Sequence, residues 1–158
     1  MIVVAQRVSR ARVWVDDEVV GEIERGLCLL TCALNGDDAG DIEWLANKVA
    51  NLRVFPKDAD HGDRSLLDVN GAALVVPQFT LAADWRKGRR PSFLRAAPPE
   101  QGAALVQHFA ACLERAGVHV AQGRFGANMQ VELRNDGPFT LVLDSAQRHP
   151  PVGTEPHA

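Results

Sequence analysis

The hydrophobic positions change their spacing several times along the chain, and each change marks an element. Residues 3–8 and 12–15 have strand-like composition, Asp16-Asp17 signals a turn, and Val19-Val20-Gly21-Glu22-Ile23 resumes extended character. The spacing therefore predicts a hairpin. Residues 27–34, following Gly26, form a nearly unbroken apolar run, as in a strand covered on both faces. Asn35-Gly36-Asp37-Asp38 breaks that run and offers aspartates for a helix N-terminus. Ile42, Leu45, Ala46, Val49 and Leu52 follow at helical spacing, one apolar stripe for a sheet to receive.

Val54-Phe55 predicts a short strand, residues 56–64 a polar loop, and residues 72–76 the next buried strand. Pro98-Pro99-Glu100 opens a second helix, since proline is tolerated in a first turn. Its stripe is Leu105, Phe109, Cys112 and Leu113, and Gly117 supplies the stop. Residues 118–122, 128–134 and 139–143 close the chain as strands. Gln130, Glu132 and Arg134 alternate with Val131 and Leu133, the period of a strand with one wet face. Strands, helix, strand, helix, strands make a mixed α/β domain with helices packed on a sheet. The regular alternation of a doubly wound fold is missing.

Composition refines this picture only at its margins. The 158 residues, 46% hydrophobic and 23% charged, suit one compact domain. Residues 145–158 hold three prolines and two histidines with little apolar material, so they read as a flexible C-terminal tail after a domain of residues 1–144. The start, Met1-Ile2-Val3-Val4-Ala5-Gln6-Arg7, resembles a first strand rather than a secretory leader. No apolar run approaches the roughly 20 residues that span a bilayer. Cys28, Cys32 and Cys112 are an odd number without metal-site spacing, and buried reduced thiols are the plain reading. A cytoplasmic protein with no membrane partner is expected. A net charge of -3 argues against a general nucleic-acid coat, yet Arg86, Lys87, Arg89, Arg90 and Arg95 form a local basic run.

The chemistry is notable first for what is missing. There is no Gly-x-Ser-x-Gly elbow, no phosphate-binding glycine loop and no His-Glu-x-x-His helix. His61, His108, His119, His149 and His157 form no ligand cluster in the sequence, so neither metal nor cofactor is expected. In Val76-Pro77-Gln78-Phe79-Thr80-Leu81, a buried strand ends in an amide and a hydroxyl placed to orient a small ligand. By spacing alone, the plainer reading has Gln78 and Thr80 satisfying nearby backbone. Asn135-Asp136-Gly137-Pro138 reads as a hairpin turn. Its functional reading needs a cis bond before Pro138, which would turn neighbouring carbonyls the same way. The basic run is by itself a solvated loop, or else a contact for phosphates.

Together these segments say more. Gln6-Arg7-Val8, Gln78-Phe79-Thr80-Leu81-Ala82-Ala83-Asp84, Arg90-Pro91-Ser92-Phe93, Gly123-Arg124-Phe125, Asn128-Met129-Gln130-Val131 and Asn135-Asp136-Gly137-Pro138 stand in this order. In that order they resemble the D-aminoacyl-tRNA deacylase family, over essentially residues 1–144. The resemblance implies a homodimer of three-layer α/β/β domains, each a mixed sheet with two helices packed on it. It implies hydrolysis of the ester joining a D-amino acid, or glycine, to the 3′ end of tRNA. Gln78, Phe79 and Thr80 would carry catalysis, and Pro77, Phe125, Met129, Gly137 and Pro138 would bind substrate. Gly137-Pro138 would project into the partner's pocket and reject L-amino acids through its carbonyls. Pro77 stands where the family has serine, which removes a hydroxyl and a backbone donor. A related deacylase that accepts L-alanyl-tRNA and a non-catalytic tRNA-binding module are the alternatives.

Overall fold

The computed structural model describes residues 1–57 and 63–148. Six strands and two helices make one domain: β1 (Ile2–Val15), β2 (Glu18–Ile23), β3 (Gly26–Cys32), α1 (Ala39–Asn51), β4 (Ala72–Pro77), α2 (Pro99–Arg115), β5 (His119–Gln122) and β6 (Gln130–Asp144). The sheet runs β2-β1-β3-β4-β5, with β6 paired to the other side of β1. β1 meets β2, β3 and β6 antiparallel, whereas β3-β4 and β4-β5 are parallel.

β1 is one strand where the composition predicted two. Opposite β6 it pairs Val8 with Asn135 and Arg10 with Arg134, so Ser9 is an extra residue. Such a bulge shifts the side-chain phase by one. Before it, Val3 and Ala5 face the helices; after it, Ala11 and Val13 join Val8 on the opposite side. The sheet thereby separates two cores. One, under the helices, contains Leu29, Ile42, Leu45, Val49, Phe55, Val75, Phe109 and Leu113. The second gathers Val8, Ala11, Val13, Ile23, Cys28, Leu74 and Val76, with Met129, Val131 and Leu133 of the β6 side against it. The three layers expected from the resemblance are present.

Local signals set the helix ends. Asp38 caps α1: its carboxylate accepts from the Asp41 N–H while Asp41 accepts from the Asp38 N–H, a reciprocal capping box. At the end of α2, Gly117 (φ +97°) turns the chain, its N–H reaching the Glu114 carbonyl and that of Val118 reaching Leu113. That is the Schellman arrangement, and it favours glycine at this position.

Two further expectations change. Val54 and Phe55 form no strand; Phe55 makes a single antiparallel bridge with Arg64. The two strands expected over 128–134 and 139–143 are one strand, β6, which begins at Gln130 and runs through residues 135–138 without a turn. Past β6, Ser145–Arg148 forms a 3-10 turn on the domain, and the rest of the expected tail, residues 149–158, lies outside the described residues. Ser145 is buried beside Asp37 and the Met1 ammonium, and Arg148 donates to Asp41 at 3.1 Å.

Candidate active site

β4 delivers the first half of the site. Pro77 lies opposite Thr31 of β3, and the next residue, Gln78, donates its N–H to the Thr31 carbonyl at 2.7 Å. In a parallel strand alternate residues point to alternate neighbours, so the Pro77 nitrogen faces the β5 side. There the pairing stops at Gln122 opposite Val75, so a residue without an N–H costs no ladder bond. Phe79–Ala82 then forms a 3-10 turn. Its first N–H groups, those of Phe79 and Thr80, have no partner within the turn. The Gln78 side-chain amide donates to the Thr80 hydroxyl oxygen, which leaves the hydroxyl proton free for another acceptor.

The loop after β5 delivers the other half. Gly123 donates to the Val75 carbonyl at 2.8 Å, and a Cβ there would lie 2.7 Å from the Met129 sulfur. Glycine is thus what lets Met129 pack against this turn. Phe125 rests beside Gly102 near the start of α2, and Gly126 (φ +75°) reverses the chain. The two halves enclose an open cleft of about 310 Å³ lined by Pro77, Gln78, Phe79, Phe125, Gly126, Ala127, Asn128 and Met129. Phe79 is 57% exposed, its ring set edge-on to Phe93 with centroids 5.1 Å apart.

The cleft carries amide, apolar and backbone groups, and its lining contains no Asp, Glu, Lys, Arg, His or Cys. Behind Phe79, the buried Cys32 thiol lies 3.5 Å from the Phe79 carbonyl oxygen. Burial pushes its pKa up, so it is no ready nucleophile. Among the described residues no three His, Cys, Asp or Glu side chains gather as a cation would require. His108 sits 3.4 Å from Glu43 and beside Cys112, away from the cleft; His61, His149 and His157 lie outside the described residues. Such a site suits a reaction run by positioning and by hydrogen bonds to a developing oxyanion.

Pro77, Gln78, Phe79, Phe125 and Met129 therefore come together, with Thr80 held by Gln78. Gly137 and Pro138 do not join them. They lie in a bulge of β6, where residues 136–139 stand opposite the single residue Arg7 of β1. Gln130 and Asn135 are five strand steps apart, so this bulge is roughly 20 Å from Met129. The Gly137-Pro138 bond is cis. Arg7, only 4% exposed, organises the bulge: Nε donates to the Asp136 carbonyl at 2.8 Å and an Nη to that of Gly137 at 2.5 Å. Its other Nη reaches the buried Val54 carbonyl, and the guanidinium lies over the Phe139 ring at 5.1 Å. Arg7 was not among the expected site residues, nor were Gly126, Ala127 and Asn128. The signal for Arg7 was a charge in phase with the inward Val3 and Ala5.

A single α/β/β domain whose cleft is uncharged and lined by amide, apolar and backbone groups defines one class of protein. The comparisons make it specific. The model of the family described as D-Tyr-tRNA(Tyr) deacylase matches residues 4–144. A D-aminoacyl-tRNA deacylase of Thermomicrobium roseum is 56% identical over 147 residues, 93% of this chain and 96% of its own length. One of Ruegeria pomeroyi is 54% identical over 139 residues, 88% and 96% of the two chains. Among solved structures, the c-Myc DNA Unwinding Element Binding Protein superposes with a TM-score of 0.85 at 37% identity, covering 91% of this chain and 98% of that one. The chain belongs to the D-Tyr-tRNA(Tyr) deacylase family.

Proposed function

We propose that the protein hydrolyses the ester joining a D-amino acid, or glycine, to the 3′ end of tRNA. The observation that carries this reading is the cleft itself, together with family membership. Beside the Gln78-bound Thr80 hydroxyl lie two N–H groups without partners in their turn, and Phe125 and Met129 form the facing wall. The α-ammonium already activates an aminoacyl ester, so the site need not supply a strong nucleophile. Water adds to the ester carbonyl and the Phe79 and Thr80 N–H groups hold the oxyanion. The carbon–oxygen bond to ribose then breaks, and the ribose oxygen leaves with a proton as the hydroxyl of free tRNA. The adjacent ribose hydroxyl can relay that proton, with Thr80 positioning the water; Thr80 as nucleophile is the alternative.

Chirality is assigned to Gly137 and Pro138 of a partner subunit in a homodimer, acting in the cytoplasm. Two features support this. Among the described strands β6 pairs only with β1, and a free edge of this length invites pairing with a second chain. Val142 on it is 68% exposed. The bulge residues are also held rigidly by Arg7, as a wall of carbonyls requires.

The test incubates D-Tyr-tRNA, L-Tyr-tRNA, Gly-tRNA and L-Ala-tRNA with purified protein. Cleavage of the first and third with the second intact is expected. Equal persistence of D- and L-Tyr-tRNA would refute the reading. Turnover of L-Ala-tRNA would favour the alternative, a related deacylase that accepts L-alanyl-tRNA. The name of the 37% identical neighbour favours a second reading, nucleic-acid binding without turnover, which the same incubation separates.

A further inference from the structure

Immediately after the 3-10 turn, Asp84 and Ser92 exchange two backbone hydrogen bonds of 2.7 and 2.8 Å. They close the loop 85–91, every residue of which is exposed. That loop carries Arg86, Lys87, Arg89 and Arg90, Arg95 follows, and no acidic residue lies between 85 and 95. Asp84 answers one of these cations, taking Nε and Nη2 of Arg86 at 2.9 and 2.7 Å. The Arg86 hydrogen bonds hold the Asp84 carboxyl well below the usual carboxylate range, so this pair persists as a brace at the base of the loop. Lys87, Arg89 and Arg90 have no ion pair among the described residues. Three unanswered cations in four positions repel one another unless a polyanion lies between them.

Two open hollows flank the loop. One of about 560 Å³ is lined by Asp84, Arg86, Lys87, Arg90 and Ser92. The other, of about 390 Å³, is lined by Ala83, Asp84, Trp85, Arg86 and Arg95. Trp85, at 75% exposed, turns a large aromatic ring to solvent at the edge of this basic ground. The loop is also placed rigidly relative to the cleft. The 3-10 turn that separates them rises about 2 Å per residue, which puts the loop base roughly 10 Å from Phe79. Just past the loop, Phe93 packs back on Phe79.

Building on the deacylase reading, we propose that this hairpin grips the unpaired nucleotides leading into the esterified 3′ residue. Lys87, Arg89 and Arg90 contact successive phosphates, and Trp85 stacks on a base. The aromatic ring decides between single strand and duplex, because a base must be unstacked from its neighbour to lie on it. The grip accounts for a tRNA enzyme whose cleft lining holds no cation.

The test compares the triple variant Lys87→Ala/Arg89→Ala/Arg90→Ala and Trp85→Ala on two substrates, D-Tyr-tRNA and D-tyrosyl-adenosine, which has the ester but no phosphate. Three lost single-strand phosphate contacts flatten the salt dependence by about two powers of salt concentration. Raising salt from about 50 to about 200 mM should then weaken kcat/KM on D-Tyr-tRNA roughly 20-fold less in the variant than in the native enzyme. Trp85→Ala should lower it about tenfold and Trp85→Phe restore most of the loss. Turnover of D-tyrosyl-adenosine should stay unchanged in all of them. A native salt slope in the triple variant, or equal losses on both substrates, would overturn the grip. Native enzyme inert toward both substrates would instead refute the deacylase reading, and filter binding of tRNA would still report on the hairpin.

Discussion

Replacing Arg7 by alanine removes a guanidinium that joins β1 to two segments far away in the sequence. Three carbonyls lose a donor, but not equally. Asp136 and Gly137 are exposed, and their oxygens turn to water at little cost. Val54 is 4% exposed, so its carbonyl is left unsatisfied, worth about 1–3 kcal/mol. The truncation also enlarges a void of about 10 Å³ among Ala5, Leu27, Val49, Leu52, Phe139 and Leu141 and strips the cation from the Phe139 ring. A total of about 3–4 kcal/mol is expected, a fall in Tm of about 10 °C for a domain of this size. Arg7→Lys should fall between, since one ammonium cannot reach three carbonyls at fixed angles. Thermal melting by circular dichroism gives the stability, and D-Tyr-tRNA against L-Tyr-tRNA turnover reports on the 136–139 bulge. Arg7→Ala melting within about 2 °C of the native protein, with native turnover and selectivity, would refute the reasoning.

Gly26→Ala would place a Cβ 1.8 Å from the Ala72 carbonyl oxygen, a backbone atom of β4 that cannot yield. A loss of about 4 kcal/mol or more, or failure to fold, is expected in urea titration. Gly123→Ala meets instead the mobile end of Met129, so stability should drop by only about 1–2 kcal/mol while the displaced Met129 narrows the cleft and KM rises. Although burial opposes ionisation of Asp41, hydrogen bonds from the Asp38 N–H and Arg148 win and lower its pKa from 3.8. Its contribution to stability is therefore full above about pH 4 and lost as pH falls through the lowered value. Arg148→Ala should move the Asp41 carboxyl midpoint, read by NMR, upward; an unmoved midpoint would sink this account. Cys28, pushed up to about 11 by burial, should resist maleimide at neutral pH until the protein unfolds.

Much of this architecture was legible because its causes are local. The stripe Ile42, Leu45, Ala46 and Val49 and the Asp38 cap lie within a few turns of one helix, and both appear as read. The wet-dry alternation from Gln130 to Arg134 is a property of any half-buried strand, and it too is present. The cleft was half legible: the end of a buried strand pointed to Gln78 and Thr80, whereas Pro77, Phe79, Phe125 and Met129 came from resemblance.

What the chain alone could not decide was which distant segments meet. Residues 77–79 and 125–129 share a cleft because β4 and β5 pair in parallel across a helix, and no short window contains that pairing. The break at Ser9 looked like a strand end and is a bulge, since its partner β6 continues past it. The turn signal at Gly137-Pro138 was read from local residues. A buried guanidinium about 130 positions earlier makes it a held projection inside one strand. Local sequence determines backbone preference and the face that seeks burial. Register, bulges and the company of a buried charge follow from long-range pairing and close packing, which only the folded chain supplies.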